Sequence, residues 1–175
     1  MGVSEHYFTA SPAVEAEERA HRFMIRGVEH AVVTASGVFS ADRLDKGTQV
    51  LLDHVPDPPP TGSFLDLGCG WGPIATVMSL EAPGAVVWAV DVNSRALDLT
   101  ARNAQAHGAS GVRVLKADEA LATSVESGTR FDVIWSNPPV RIGKEAMHEM
   151  LAAWLGRLAP TGVAYLVVQR NLGAD

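Results

Sequence analysis

Cysteine is almost missing: Cys69 is the only one in 175 residues, so no disulfide framework can hold the fold. Long apolar runs are missing too. None approaches the roughly 20 residues that a bilayer-spanning helix needs, so no membrane association is expected. Positive charge is scarce, with 14 Lys and Arg against 20 Asp and Glu and a net charge of −6. That argues against nucleic-acid binding by bulk electrostatics, while leaving room for a few local basic contacts. The six histidines show no metal-ligand spacing with cysteine or acidic partners, and no metal site is expected. MGVSEHYFTASP lacks a basic segment followed by an apolar core, so no secretory leader is expected. His6 stands where the N-myristoylation pattern needs Ser or Thr, which leaves the cytoplasm as the expected compartment.

What remains is ordinary globular material: 47% hydrophobic and 19% charged residues, enough for one full core and with no internal repeat. HRFMI and VEHAVVT flank Arg26-Gly27 and predict a short hairpin. A Gly-led turn follows, then an amphipathic stretch with Val50, Leu51, Leu52 and Val55 on one apolar face. PDPPPTG is the strongest breaker in the chain. It suggests an N-terminal appendage over 1–55 that packs on the core, a proline-rich linker over 56–62, and a main domain over 63–175.

Beyond the linker, strands and helices alternate. SFLDLG, VVWAVDV, VRVLKAD, FDVIWS and GVAYLVVQ read as strands, VVWAVDV and FDVIWS as buried ones. GPIATVMSL reads as a helix with Pro73 in its first turn, where the missing N–H costs nothing. Asn93 or Ser94 can cap a helix running to His107-Gly108. Met147, Met150, Leu151, Trp154 and Leu158 fall at helical spacing. The expected fold is α/β: a mainly parallel, doubly wound, Rossmann-like sheet with helices on both faces and the hairpin-helix appendage at its N-terminal end.

LDLGCGWGP joins a strand to a helix through a glycine-rich turn. Gly68, Gly70 and Gly72 allow the backbone to approach a ligand closely. A dinucleotide fingerprint would place the third glycine one position later, where Pro73 stands. Asp66, two residues before the first glycine, is also foreign to that fingerprint and suits a ligand with a positive amino group near the loop. The D-x-G-x-G-x-G spacing resembles motif I of class I S-adenosylmethionine-dependent methyltransferases. Asp91 ends the second core strand, where a carboxylate can accept both ribose hydroxyls, with Val92 and Asn93 beside it. Asp118 closes the third, where an adenine amine could be held beside Ala117. Cys69 lies between loop glycines with no obvious histidine base, which favours a small packed side chain over a nucleophile.

The fourth strand ends in Asn137-Pro138-Pro139. Two prolines lock their own φ and hold the preceding residue extended, so Asn137 and the Pro138 carbonyl point out of the sheet on the ligand edge. Two rigid, neutral acceptors suit a planar exocyclic amine, whose nitrogen becomes nucleophilic as it pyramidalises.

With the glycine loop, this turn resembles the Asn/Asp-Pro-Pro methyltransferases that act on amino groups conjugated to a π system. The small-domain group of ribosomal RNA guanine-N2 methyltransferases is the nearest resemblance. It extends to His6-Tyr7-Phe8, Gly37-Val38-Phe39-Ser40, Leu44-Asp45-Lys46-Gly47-Thr48 and Ala89-Val90-Asp91-Val92-Asn93. It implies S-adenosylmethionine as cofactor and, as partner, ribosomal RNA or an assembling small ribosomal subunit, with a monomer expected. Asp66, Gly68, Cys69, Gly70 and Gly72 would form its methionine side, Asp91, Val92 and Asn93 its ribose side, and Ala117 and Asp118 its adenine side. Phe39 and Thr48 would close the pocket. Asn137, Pro138 and Pro139 would present the target amine, and Arg141 and Lys144 are phosphate-contact candidates or ordinary helix-start cations, with Arg43 and Lys46 nearby. Val140 stands where the family has a base-stacking aromatic, so Phe39 becomes the substitute. RNLGAD follows the fifth strand directly, so the antiparallel pair that the resemblance implies after that strand is expected to be absent, which would leave it a less protected edge. N-methylation of adenine or of protein glutamine, a non-catalytic cofactor-binding module, and a nicotinamide oxidoreductase remain as alternatives.

Overall fold

The computed structural model describes residues 15–168. His6-Tyr7-Phe8 and the RNLGAD terminus lie outside them, as does the side chain of Val140. Strands β1 (Glu18–Ile25) and β2 (Val28–Ala35) form the expected antiparallel hairpin, turning at Arg26-Gly27. Helix α1 (Lys46–His54) follows. The core then runs β3 (Thr61–Leu67), α2 (Pro73–Glu81), β4 (Gly84–Asp91), α3 (Ser94–Ala106), β5 (Val112–Lys116), α4 (Ala117–Glu126), β6 (Phe131–Ser136), α5 (Lys144–Leu155) and β7 (Leu158–Leu166). The five core strands are parallel, in the order β5-β4-β3-β6-β7. Chain order therefore reverses between β3 and β6, and ligands bind at the carboxyl ends of strands at such a switch point.

Alternation along β3 separates the two faces of the sheet. Phe64 packs with α1, α2, α3 and the hairpin, whereas Leu65 and Leu67 pack with Ala120 of α4 and Trp154 of α5. The hairpin and α1 share one apolar cluster with β3, β4 and β6 through Ile25, Val32, Leu51 and Leu52. Hydrogen bonds reinforce this docking. Asn103 on α3 accepts from the Val33 amide (2.8 Å) and donates to the carbonyls of Val33 (2.8 Å) and Trp71 (2.9 Å). At the hairpin tip Arg26 donates to the Leu52 and Val55 carbonyls (2.7 and 3.0 Å), satisfying acceptors that the end of α1 leaves unpaired.

Several expectations need revision. β3 starts at Thr61, inside the stretch read as linker, because Thr61 and Gly62 pair with Gly84 and Ala85. Helix α4 was not foreseen: only Ala120 and Ser124 are buried along it, too narrow an apolar stripe to stand out. Its start at Ala117 moves Asp118 from a strand end into a helix. Leu158 is not helical; the chain turns at Gly156 and Leu158 pairs with Phe131 in the sheet. Val50 does not share the buried face of Leu51 and Leu52 but is 44% exposed. Asn93, not Ser94, caps α3, accepting from the amides of Arg95 and Ala96.

Replacing Asn103 by Leu leaves three backbone groups without their partner. We expect a loss of about 2–4 kcal/mol in unfolding free energy, read as a lower urea midpoint at unchanged slope. An unchanged midpoint would mean that the three Asn103 bonds add nothing to the docking of the hairpin.

Candidate functional site

A cavity of about 440 Å³ opens at the carboxyl edge of the sheet, a size that holds a nucleoside-like ligand. All five strand ends contribute: Gly68 and Gly70 after β3, Asp91, Val92 and Asn93 at the end of β4, Ala117 after β5, Asn137, Pro138 and Pro139 after β6, and Val167 after β7. From the appendage come Phe39, Asp45, Lys46, Gly47 and Val50, and from the β6–α5 connection Arg141.

The glycine loop is shaped from below. The Gly68 and Cys69 amides donate to the Val90 carbonyl (2.8 and 3.0 Å), and the Thr100 hydroxyl donates to the Gly70 carbonyl (2.9 Å). At Gly70 φ is +59° and an added Cβ would meet nothing within 4 Å, so that position leaves bare backbone toward the cavity. Gly72 does different work. With φ at +98°, its missing Cβ would come 3.0 Å from Thr100, so this glycine lets α3 pack against the start of α2 and lies outside the cavity wall.

The acids separate into three situations. Asp91 accepts from the Gly70 amide (3.0 Å) and the Asn93 amide (2.9 Å) at the cavity wall. Burial pushes its carboxyl above the ordinary value, and those two amides pull against that shift. Asp66 is fully buried beneath the loop rather than in the cavity wall. One of its oxygens accepts from the Ala75 amide of α2 (2.9 Å), while Oδ1 has no partner. Burial raises its pKa to about 8, with Asp91 adding to the effect. Asp118 is exposed in the first turn of α4 and does not line the cavity, so it is not where the strand reading placed it.

Two further expected contacts are displaced. Burial and the neighbouring Asp91 and Asp66 push the Cys69 thiol well up, and its sulfur sits 3.4 Å from the Thr100 hydroxyl, facing a separate void of about 20 Å³. A thiol held neutral this way packs rather than attacks. Thr48 is buried over the same small void, and its hydroxyl accepts from Asn137 Nδ2 (3.1 Å). Lys144 opens α5, exposed and away from the cavity, whereas Arg141 and Lys46 line it. Among the described residues, no group of three or more His, Cys, Asp or Glu side chains could hold a metal ion.

Asp45, Gly47 and Val50 were not assigned to the site from sequence. The usable signal was Asp-x-x-Thr: Asp45 accepts from the Thr48 amide and caps α1 (3.1 Å), which fixes a helix start beside the NPP turn.

Residues 29–175 match the family model described as the methyltransferase small domain. The chain belongs to that family. Membership places it among the S-adenosylmethionine-dependent methyltransferases. It is 33% identical over 172 residues to the uncharacterized protein YbxB of Bacillus subtilis, covering 98% of this chain and 85% of that one. It is 38% identical over 148 residues to ribosomal RNA small subunit methyltransferase C of Mannheimia succiniciproducens, covering 82% of this chain and 43% of the relative. Identity is also 38%, over 147 residues, to a release factor glutamine methyltransferase of Chlorobaculum tepidum, covering 79% and 44%. Both relatives with a named substrate are thus more than twice as long as the segment they share. Among solved structures, a T. thermophilus 16S rRNA methyltransferase in complex with AdoMet and guanosine superposes with a TM-score of 0.71 at 27% identity, over 85% of this chain and 41% of that one.

The methyltransferase small domain residues present here fit S-adenosylmethionine. The partnerless oxygen of buried Asp66 favours a nearby positive group, the bare backbone at Gly70 leaves room for close approach, and Asp91 presents a carboxylate at the wall.

Two outcomes test this electrostatic arrangement. Folded Asp66 keeps its proton to about pH 8, whereas an unfolded aspartate loses it near pH 4. The native state therefore binds more protons between those limits, and stability without cofactor falls as pH rises through the window, by at most about 1.4 kcal/mol per unit. Asp66→Asn should make the fall of the urea midpoint between pH 5 and 8 shallower, leaving the same-signed slope from Asp91 and the opposite one from His30, whose imidazole burial holds below its ordinary value; parallel profiles for both proteins would contradict the shift. Asp91→Ala should weaken S-adenosylmethionine binding in calorimetry by about 1.5–3 kcal/mol, and undiminished affinity would remove Asp91 from the site.

Proposed function

We propose that the protein transfers the methyl group of S-adenosylmethionine to an exocyclic amine, with guanine-N2 of small-subunit ribosomal RNA as the substrate. The observation that carries this reading is the meeting of the glycine loop and the NPP turn in one cavity. A Cβ on Gly68 would lie 3.7 Å from Pro139 Cδ and 3.8 Å from the Asn137 carbonyl oxygen, so the two motifs are in contact. Similarity to the ribosomal RNA enzymes over most of this chain supports the substrate class.

S-adenosylmethionine supplies an electrophilic methyl group on a sulfonium. Asp91 would hold the ribose hydroxyls, the backbone at Gly68 and Gly70 would border the methionine part, and Ala117 with the apolar wall would take the adenine. Asn137 Oδ1 and the Pro138 carbonyl accept the two hydrogens of the target amine. Those hydrogen bonds favour the pyramidal, nucleophilic nitrogen over the conjugated planar one. Both acceptors are neutral, and the proton leaves after the methyl has moved, so no strong base is required. Phe39, 46% exposed at the rim, stacks on the base in place of the aromatic expected at Val140. Lys46 and Arg141 at the same rim contact phosphates, the local basic contacts that an acidic chain still permits.

The equal identity to a release factor glutamine methyltransferase favours one second reading, transfer to a protein glutamine amide. The deciding experiment incubates total RNA, and separately total ribosomal protein with release factors, with methyl-labelled cofactor. N2-methylguanosine after nucleoside analysis is the expected product; N6-methyladenosine or label confined to protein would overturn the guanine assignment. In the same assay Asn137→Ala should abolish transfer while cofactor affinity stays within about twofold. A fully active variant would sink the amine-positioning mechanism.

A further inference from the structure

We propose that Asp45, with Thr48, is a positioning residue that orients the Asn137 amide for methyl transfer; this rests on the role given to Asn137 above. Asp45 belongs to the appendage and Asn137 to the loop after β6, 92 residues later in the chain. Three polar groups nevertheless form a closed cluster. Asn137 Nδ2 donates to Asp45 Oδ2 (2.7 Å) and to Thr48 Oγ1 (3.1 Å), and the same Asp45 oxygen accepts from the Thr48 amide (3.1 Å).

The chemistry of these groups permits one orientation of the amide. A primary amide nitrogen carries two hydrogens, and both are engaged here. An ionised carboxylate can only accept, so turning the amide over would set Asn137 Oδ1 against Asp45 Oδ2, two acceptors facing each other. Asn137 Oδ1 is thereby left as the group's free acceptor, the role that the target amine requires. A hydrogen bond to a charged carboxylate is also stronger than one between neutral groups.

Gly47 completes the arrangement. A Cβ there would come 3.0 Å from Asp45 Oδ2 and 3.1 Å from both Asn137 amide heads. The α1 backbone therefore lies flat against the Asn137 side chain, which a larger residue would displace. The two prolines restrain the Asn137 backbone while α1 restrains its side chain. Helix α1 is itself held at its far end, where Arg26 donates to the Leu52 and Val55 carbonyls.

An ordinary helix cap would account for the bond from Asp45 to the Thr48 amide but not for the Asn137 contact, and the variants separate the two roles. Asp45→Ser keeps a good cap on a side chain too short to reach both donors. Asp45→Asn keeps an acceptor oxygen at the original reach. Thr48→Val keeps the cap and removes only the second acceptor. The first readout is the side-chain ¹⁵N amide signal of Asn137 in the full-length protein without cofactor. Its two protons should exchange with water at least about tenfold faster in Asp45→Ser and Thr48→Val than in the parent, and Asp45→Asn should recover most of the protection. The second is methylation of total RNA with labelled cofactor, beside calorimetry of cofactor binding. Here kcat should fall about tenfold or more in Asp45→Ser, within the range that a misplaced reacting group costs. Cofactor affinity should stay within about twofold, and Asp45→Asn should regain several-fold over Asp45→Ser. Unchanged amide exchange in both Asp45→Ser and Thr48→Val overturns the inference, as does an unchanged kcat in a preparation where Asn137→Ala is inactive. If Asn137→Ala is itself active, the role of Asn137 fails while the amide signal still judges the contact.

Discussion

The site depends on five residues of backbone, Gly68 to Gly72, held open on one side and clamped on the other. A turn this rich in glycine has high conformational freedom when unfolded, and it needs many small restraints to become a rigid surface. The loop supplies one of them, the Gly72 amide donating to the Cys69 carbonyl (3.0 Å), and a neighbouring strand and helix supply the others. Val90 takes two of its amides and Asp91 a third, while Thr100 and Asn103 on α3 bind its carbonyls. Asn103 also binds both polar groups of Val33 in the hairpin, so one buried amide joins the loop, α3 and the appendage.

Electrostatics follow from the same geometry. Asp66 and Asp91 lie below and beside the loop, buried enough that desolvation raises both carboxyls. Two acids in such a setting are poorly stabilised as anions by the protein alone. A ligand bringing a positive amino group and a sulfonium matches that deficit, whereas a pyrophosphate would add like charge. Shape and charge at the loop thus agree on the cofactor of the family.

The cavity's other wall comes from the appendage. Phe39, Asp45, Gly47 and Val50 belong to a region that the sequence marks as separate by its proline-rich boundary, yet it shares a hydrophobic cluster with the sheet and touches the NPP turn. A motif on a strand end can place a backbone; holding a side-chain amide in one of two rotations needs a partner from another direction. That partner is α1.

The alternating strands and helices, the hairpin at Arg26-Gly27, Pro73 at the start of α2 and the glycine loop were legible in the sequence because each has a local cause: a residue period, a backbone restriction or a missing Cβ. Asn137, Gly68, Gly70 and Asp91 could be placed on one edge for the same reason, since parallel strands align their carboxyl ends. Tertiary structure alone decided the rest. It put Asp118 in an exposed helical turn, turned Cys69 and Thr48 toward a separate void, set Gly72 against Thr100, and buried Asp66 beneath the loop. It also brought Asp45 to Asn137. Each of these depends on the direction in which a side chain leaves its backbone and on what a distant segment packs against it, and neither is encoded in local spacing.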